Sequence, residues 1–218
     1  IIKENNWHVF LKSYGWTKIN KKWIITLNKL SDNKAKNSPF AVLDCGSEGD
    51  CLFKCISYAL LPYSRIHENE TNFKIIRKQL SDNITQDLFD TIINIYQISK
   101  TNNEFKESWD PFKITITEFK NKIETGGNDY WGDFILLDIL RSINNINIIV
   151  LYTNTLTNEF YNYPLFYDYN INNKTIILLY EDEQHFKLIG HYRDNTIKYI
   201  FKHKEIPVEV LKLSNILR

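Results

Sequence analysis

The run Cys45-Gly46-Ser47-Glu48-Gly49-Asp50-Cys51-Leu52-Phe53-Lys54-Cys55-Ile56 passes from a polar, glycine-containing turn straight into an apolar segment that reaches Leu61. The pattern predicts a tight loop opening a buried helix, with Cys51 in the first turn. Unpaired backbone N–H groups and the positive end of the helix dipole lie there, and both favour thiolate over thiol. A cysteine inside an apolar helix is, by contrast, inert. The glycines let the backbone turn sharply and bring amide N–H groups toward an incoming carbonyl, as an oxyanion hole requires. Cys51 is the candidate nucleophile.

Such a nucleophile needs a base, usually histidine, and a group to orient that histidine. The chain offers His8, His67, His185, His191 and His203. His185 is separated from an apolar strand by the acidic loop Glu181-Asp182-Glu183-Gln184. A strand–loop–His–strand order sets the imidazole at a sheet rim, where partners from distant sequence meet it. His191 is the rival, since His191-Tyr192 ends the same strand. Cys45, Cys51 and Cys55 lack the paired ligand clusters of structural zinc, so Cys45 and Cys55 read as small buried hydrophobes and no metal or cofactor is expected.

The elements that must position these groups follow from periodicity. Trp7, Phe10 and Leu11 have helical spacing, and Gly15 ends that piece. Residues 1–38 read as a helical extension packing on a main domain of residues 39–218, with 31–39 as the linker. Phe40 to Leu43 is a short strand feeding the glycine turn, and Pro62 breaks the helix from Cys51. Helical rhythm recurs at Phe73, Ile76, Leu80 and Ile84, at Leu88, Ile92 and Ile95, and at Phe112, Ile116, Phe119 and Ile123. Gly126-Gly127-Asn128 is a turn, and Trp131-Gly132 opens a further amphipathic helix through Ile143. From Asn147 the character changes. Ile148 to Tyr152 and Thr175 to Tyr180 are continuous, β-branched and predicted to be buried strands, followed by Phe186 to Tyr192 and Thr196 to Phe201. Helices first and strands later describe an α+β, or layered α/β, domain with a partly antiparallel sheet.

Bulk properties bound the function. The chain has 218 residues, 43% hydrophobic and 14% aromatic, as expected of a folded globular protein. A net charge of +1 gives no global pull toward nucleic acid or an anionic membrane, and the lysines among the N-terminal tryptophans form no concentrated basic face. No apolar run approaches a membrane span. Three cysteines disfavour a disulfide framework and point to a reducing, intracellular compartment. The start at Ile1 and the absence of methionine read as a piece of a longer protein. Heavy use of Asn, Ile, Lys and Tyr suggests an AT-rich genome, such as that of a parasite, an intracellular bacterium or a large virus.

Glu48-Gly49-Asp50-Cys51-Leu52-Phe53 resembles the acid-Gly-x-Cys-Leu-Phe signature of the ovarian tumour (OTU) family of cysteine deubiquitinases. Trp131-Gly132, followed by a helix and the strand Ile148 to Leu151, is similar to that family's Trp-Gly segment and central strand. Ile176 to Tyr180, a short loop and His185-Phe186 resemble its strand and His-aromatic motif. The blocks occur in family order across about 40–192. The resemblance implies a papain-like thiol protease fold, helices flanking a small mixed sheet, that cuts isopeptide bonds to the C-terminal glycine of ubiquitin. It implies Cys51 as nucleophile and His185 as general base in preference to His191. The amides of Glu48, Gly49, Asp50 and Cys51 would build the oxyanion hole. Trp131 would line or buttress the substrate channel, and Glu181, Asp182 and Glu183 would meet the arginines of the ubiquitin tail. The implied partner is ubiquitin or polyubiquitin, bound by a monomer, in the host cytoplasm if the source is a virus or intracellular pathogen.

Two positions depart from the family pattern. Glu48 replaces the usual Asp three residues before the nucleophile. Lys187 stands where many members place the Asn or Asp that orients the histidine, and lysine has no acceptor. The orienting acid must come from elsewhere. Asp44 is the first candidate, and the N-terminal segment is the other source. The competing function is an OTU-fold module with little or no turnover that binds ubiquitin or another protein.

Overall fold

The continuous β-branched runs are strands buried on both faces. In the computed structural model, which describes residues 2–31, 38–61, 69–163 and 168–216, β3 (Ile146–Asn154) and β5 (Lys174–Glu181) pair in parallel from Ile146 opposite Lys174 to Thr153 opposite Glu181. Side chains alternate across a strand. Ile148, Val150, Ile176 and Leu178 therefore enter one core, and Ile149, Leu151, Ile177 and Leu179 enter another on the opposite face. Antiparallel neighbours extend the sheet. β6 (His185–Arg193) lies between β5 and β2 (Phe40–Leu43), β1 (Trp16–Lys18) pairs with β2, and β4 (Glu159–Asn162) pairs with β3. The short strands β7 (Thr196–Lys198) and β8 (Ile200–Phe201) pair with β6 and β5. The architecture is α+β with a mixed sheet.

Helices cover the two faces unequally. The larger core gathers α3 (Cys51–Leu60), α4 (Asn69–Asn83), α5 (Gln86–Thr101), α6 (Ile116–Thr125) and α7 (Phe134–Asn144). The smaller holds Trp23 and Leu27 of α2 (Lys21–Leu30) with Val210 and Leu211 of α8 (Val208–Leu213). Trp23 is wholly buried, and its indole N–H donates to Thr153 Oγ1 at 2.7 Å. The helix expected at Trp7 is a single turn, α1 (Trp7–Phe10), and Trp16–Lys18 joins the sheet as an edge strand.

Capping residues move two expected boundaries. Phe112 has helical spacing but is exposed and lies outside α6, because Thr115 and Glu118 form a reciprocal capping box that starts the helix at Ile116. Trp131-Gly132 precedes α7 rather than opening it, since Asp133 caps the helix by accepting from the Leu136 N–H at 3.1 Å. The break expected at Pro62, most of the linker expected over 31–39, and His67 lie outside the described residues.

Candidate active site

Register brings three of the candidate residues to one rim of the sheet. β2 runs antiparallel to β6, with Leu43 opposite Leu188, so the chain leaving β2 at Asp44 emerges beside the start of β6 at His185. Asp44 Oδ1 lies 3.1 Å from His185 Nε2. Cys51 is the first residue of α3, almost fully buried, and its sulfur accepts the N–H of Phe186 at 3.4 Å. The bond to Asp44, then hydrogen bonding to Cys51, pushes the His185 imidazole up to about 9 against the opposing effect of burial. The same bond to His185 takes Asp44 down to about 2, with the Gly46 N–H helping at 3.0 Å and burial opposing. With Nε2 committed to Asp44, Nδ1 remains for the sulfur. A carboxylate–imidazolium pair beside a thiol at a helix N-terminus can hold a thiolate and return a proton to a leaving group.

His191 is placed elsewhere. It faces Phe40 across the β2–β6 ladder, with ring centroids 5.0 Å apart, and burial takes it down to about 4. Cys55 lies below Cys51 in α3, its sulfur 3.6 Å from the Phe186 carbonyl, and burial pushes its thiol up. Cys45 is partly buried. Among the described residues no group of three or more His, Cys, Asp or Glu is arranged to hold a metal ion, and no helix is long and apolar enough to cross a membrane.

The loop before Cys51 is fixed from behind. Glu48 and Gly49 both have positive φ, 67° and 81°. A Cβ on Gly49 would stand 2.0 Å from the Gly127 carbonyl oxygen, so only glycine fits. Asp50 Oδ1 accepts from the Gly127 N–H at 3.0 Å and from Arg77 Nε at 2.8 Å. Arg77, wholly buried in α4, was invisible in sequence, where one cation in an amphipathic helix reads as its solvent face.

A family model described as OTU-like cysteine protease matches residues 46–192. The chain belongs to the OTU-like cysteine protease family. No curated protein matches it in sequence. Among solved structures, the OTU domain of OTUD1 is 12% identical, with 76% of this chain and 93% of that one covered and a TM-score of 0.45. The Hazara virus OTU bound to ubiquitin is 10% identical, covering 84% and 99%, with a TM-score of 0.46. The OTU domain protease of Qalyub virus is 17% identical, covering 69% and 83%, with a TM-score of 0.42.

Lys187, one of the two departures from the OTU pattern, has its ammonium paired with Glu181 across the β5–β6 hairpin. The acidic run is therefore not one uniform face. Glu181 is held by Lys187. Asp182, with φ 52°, accepts from the Thr155 N–H at 2.7 Å and from its hydroxyl, tying the His185 loop to the turn after β3. Glu183 alone of the three lines a cleft of about 690 Å³ beside the site. Trp131, Phe134, Tyr163, Tyr180 and Glu107 line it too. Its aromatic floor reaches the rim that holds Asp44 and His185, because Tyr180 stacks at 4.4 Å on Phe186, the neighbour of His185. Glu107 accepts from the Trp131 N–H at 3.3 Å, and burial pushes its carboxyl up to about 7.

Proposed function

We propose that the chain is a thiol-dependent deubiquitinase that hydrolyses isopeptide bonds at the ubiquitin C-terminus. The observation that carries the reading is the single rim holding Asp44, His185 and the first-turn thiol of Cys51, with a 3.1 Å carboxylate–imidazole bond. In this reading the Cys51 thiolate adds to the carbonyl of the terminal glycine. The developing oxyanion is met by amides of Glu48, Gly49, Asp50 and Cys51. His185 protonates the departing lysine amine, and a thioester remains on Cys51. His185 then takes a proton from water, which attacks the thioester, releases the ubiquitin carboxylate and restores the thiol. Asp44 keeps the imidazole oriented and stabilises its charged form, the part Lys187 cannot play.

Ubiquitin is the proposed substrate class, and the Hazara virus OTU is a family member solved with ubiquitin bound. The cleft beside Trp131 supplies an aromatic path for an extended tail, and Glu183 and Glu107 supply carboxylates for its arginines. The test is hydrolysis of a fluorogenic ubiquitin conjugate by wild type and Cys51→Ala. Turnover that survives in Cys51→Ala overturns the mechanism.

A further inference from the structure

Asp50 stands immediately before Cys51, at the N-cap of α3. An aspartate there ordinarily accepts from an amide in the first turn, which here would occupy donors near the sulfur and set a negative charge beside it. The Asp50 side chain makes no cap bond. Its Oδ1 turns to Arg77, 2.5 Å from Nη2, and to the Gly127 N–H. Arg77 lies 3.9 Å over the Phe53 ring and donates to the carbonyls of Gly49 (3.1 Å), Tyr130 (3.1 Å) and Ile123 (2.9 Å). A buried ion pair adds little net stability over hydrocarbon of the same volume. Its placement, however, bears on the thiol in two ways. Holding the Gly49 carbonyl fixes the planar trans peptide that follows, so the Asp50 N–H points away from Arg77. The guanidinium also offsets the Asp50 charge and lies within electrostatic range of Cys51.

We propose that Arg77 is a positioning residue for the nucleophile. By drawing the Asp50 carboxylate off the start of α3 and pinning the Gly49 carbonyl, it keeps the loop amides open to an oxyanion and the sulfur free of a neighbouring uncompensated anion. The proposal rests on the reading of Cys51 as nucleophile.

The test combines two readouts on Arg77→Gln, Asp50→Asn, their double variant and Arg77→Lys. One is the pH–rate profile of iodoacetamide alkylation at Cys51, followed by mass spectrometry. The other is kcat and KM on a fluorogenic ubiquitin conjugate. Arg77→Gln leaves a lone carboxylate near the sulfur, so the alkylation midpoint rises by about one pH unit. Asp50→Asn leaves a lone cation, so the midpoint falls, and the double variant returns close to wild type. Arg77→Lys keeps the charge and loses the fork, so the midpoint holds while kcat drops about 10- to 100-fold with KM little changed. A merely structural role lowers melting temperature in every variant and leaves the midpoint where it was. Midpoints that do not move in opposite directions, in a protein whose wild-type Cys51 alkylates faster than a free thiol, overturn the proposal alone. A wild-type Cys51 no more reactive than a free thiol overturns the nucleophile reading, and the proposal with it. If Arg77→Gln does not fold, Asp50→Asn decides, and an unmoved midpoint there overturns the proposal.

Discussion

At the scale of single residues, the site depends on a charge pair that spans neutral pH. Asp44, lowered from 3.8 to about 2, adds stability that is present above about pH 4 and lost as pH falls toward 2. His185, raised from 6.5 to about 9, adds stability that is complete below 6.5 and lost as pH rises through 9. Histidine NMR should therefore show His185 titrating near 9 and moving back toward 6.5 in Asp44→Asn, while an unmoved midpoint would separate the two groups. The same variant should lose about 10- to 100-fold in kcat, short of the ~10⁴-fold loss at a buried triad carboxylate, because Asp44 remains half exposed to water. His185→Ala should lose at least about 10²–10⁴-fold, and His191→Ala little, since His191 packs on Phe40. Cys51 and His185 were legible because a thiol after a glycine turn and a histidine at a strand start are local patterns. Asp44 was legible only as the acid nearest the loop. Its bond to a residue 141 positions away is a product of the β2–β6 register.

At the scale of elements, the loop 46–50 carries the strain and the α3 terminus carries the benefit. Gly49→Ala would need a left-handed alanine with its Cβ 2.0 Å from the Gly127 carbonyl, so backbone must shift. The expected result is a loss of roughly 2–4 kcal/mol in denaturant unfolding together with a loss of turnover. Native-like stability and activity would show that the loop is free to move. Glu48→Gly removes the penalty of a non-glycine residue at φ 67° and should cost little or stabilise by up to about 1 kcal/mol. Strong periodic elements were readable in sequence: the β3 and β5 runs, and α3 through α7. The strands β2 and β6 were legible too, whereas β1, β4 and α8 lacked local signal. β1 is three residues long, β4 is a partly exposed edge strand of four, and α8 is six residues held by packing on α2. At Phe112 and Trp131 the apolar spacing runs past the true helix starts, which the caps at Thr115 and Asp133 set.

At the scale of the molecule, a sheet packed on both faces sets its rim beside an aromatic, acidic cleft. Glu183 is the one acid of the His185 loop that faces that cleft, and its ammonium neighbour Lys106 is 3.7 Å away and exposed. Glu183→Gln should raise KM for ubiquitin substrates more than it lowers kcat, and added salt should weaken wild type more than the variant. Equal KM at two ionic strengths would mean that the cleft does not pair with the tail. Glu107, raised from 4.5 to about 7, gains its charge as pH passes 7, so KM should fall across that range and stay flat in Glu107→Gln. The central claim is that one thiol, Cys51, carries the chemistry on ubiquitin, and the most direct measurement is covalent capture. Full-length ubiquitin bearing an electrophilic C-terminus should form a single adduct, and peptide mapping should place it on Cys51, with none formed by Cys51→Ala or His185→Ala. An adduct on Cys45 or Cys55, or no adduct with folded wild-type protein, would contradict the account.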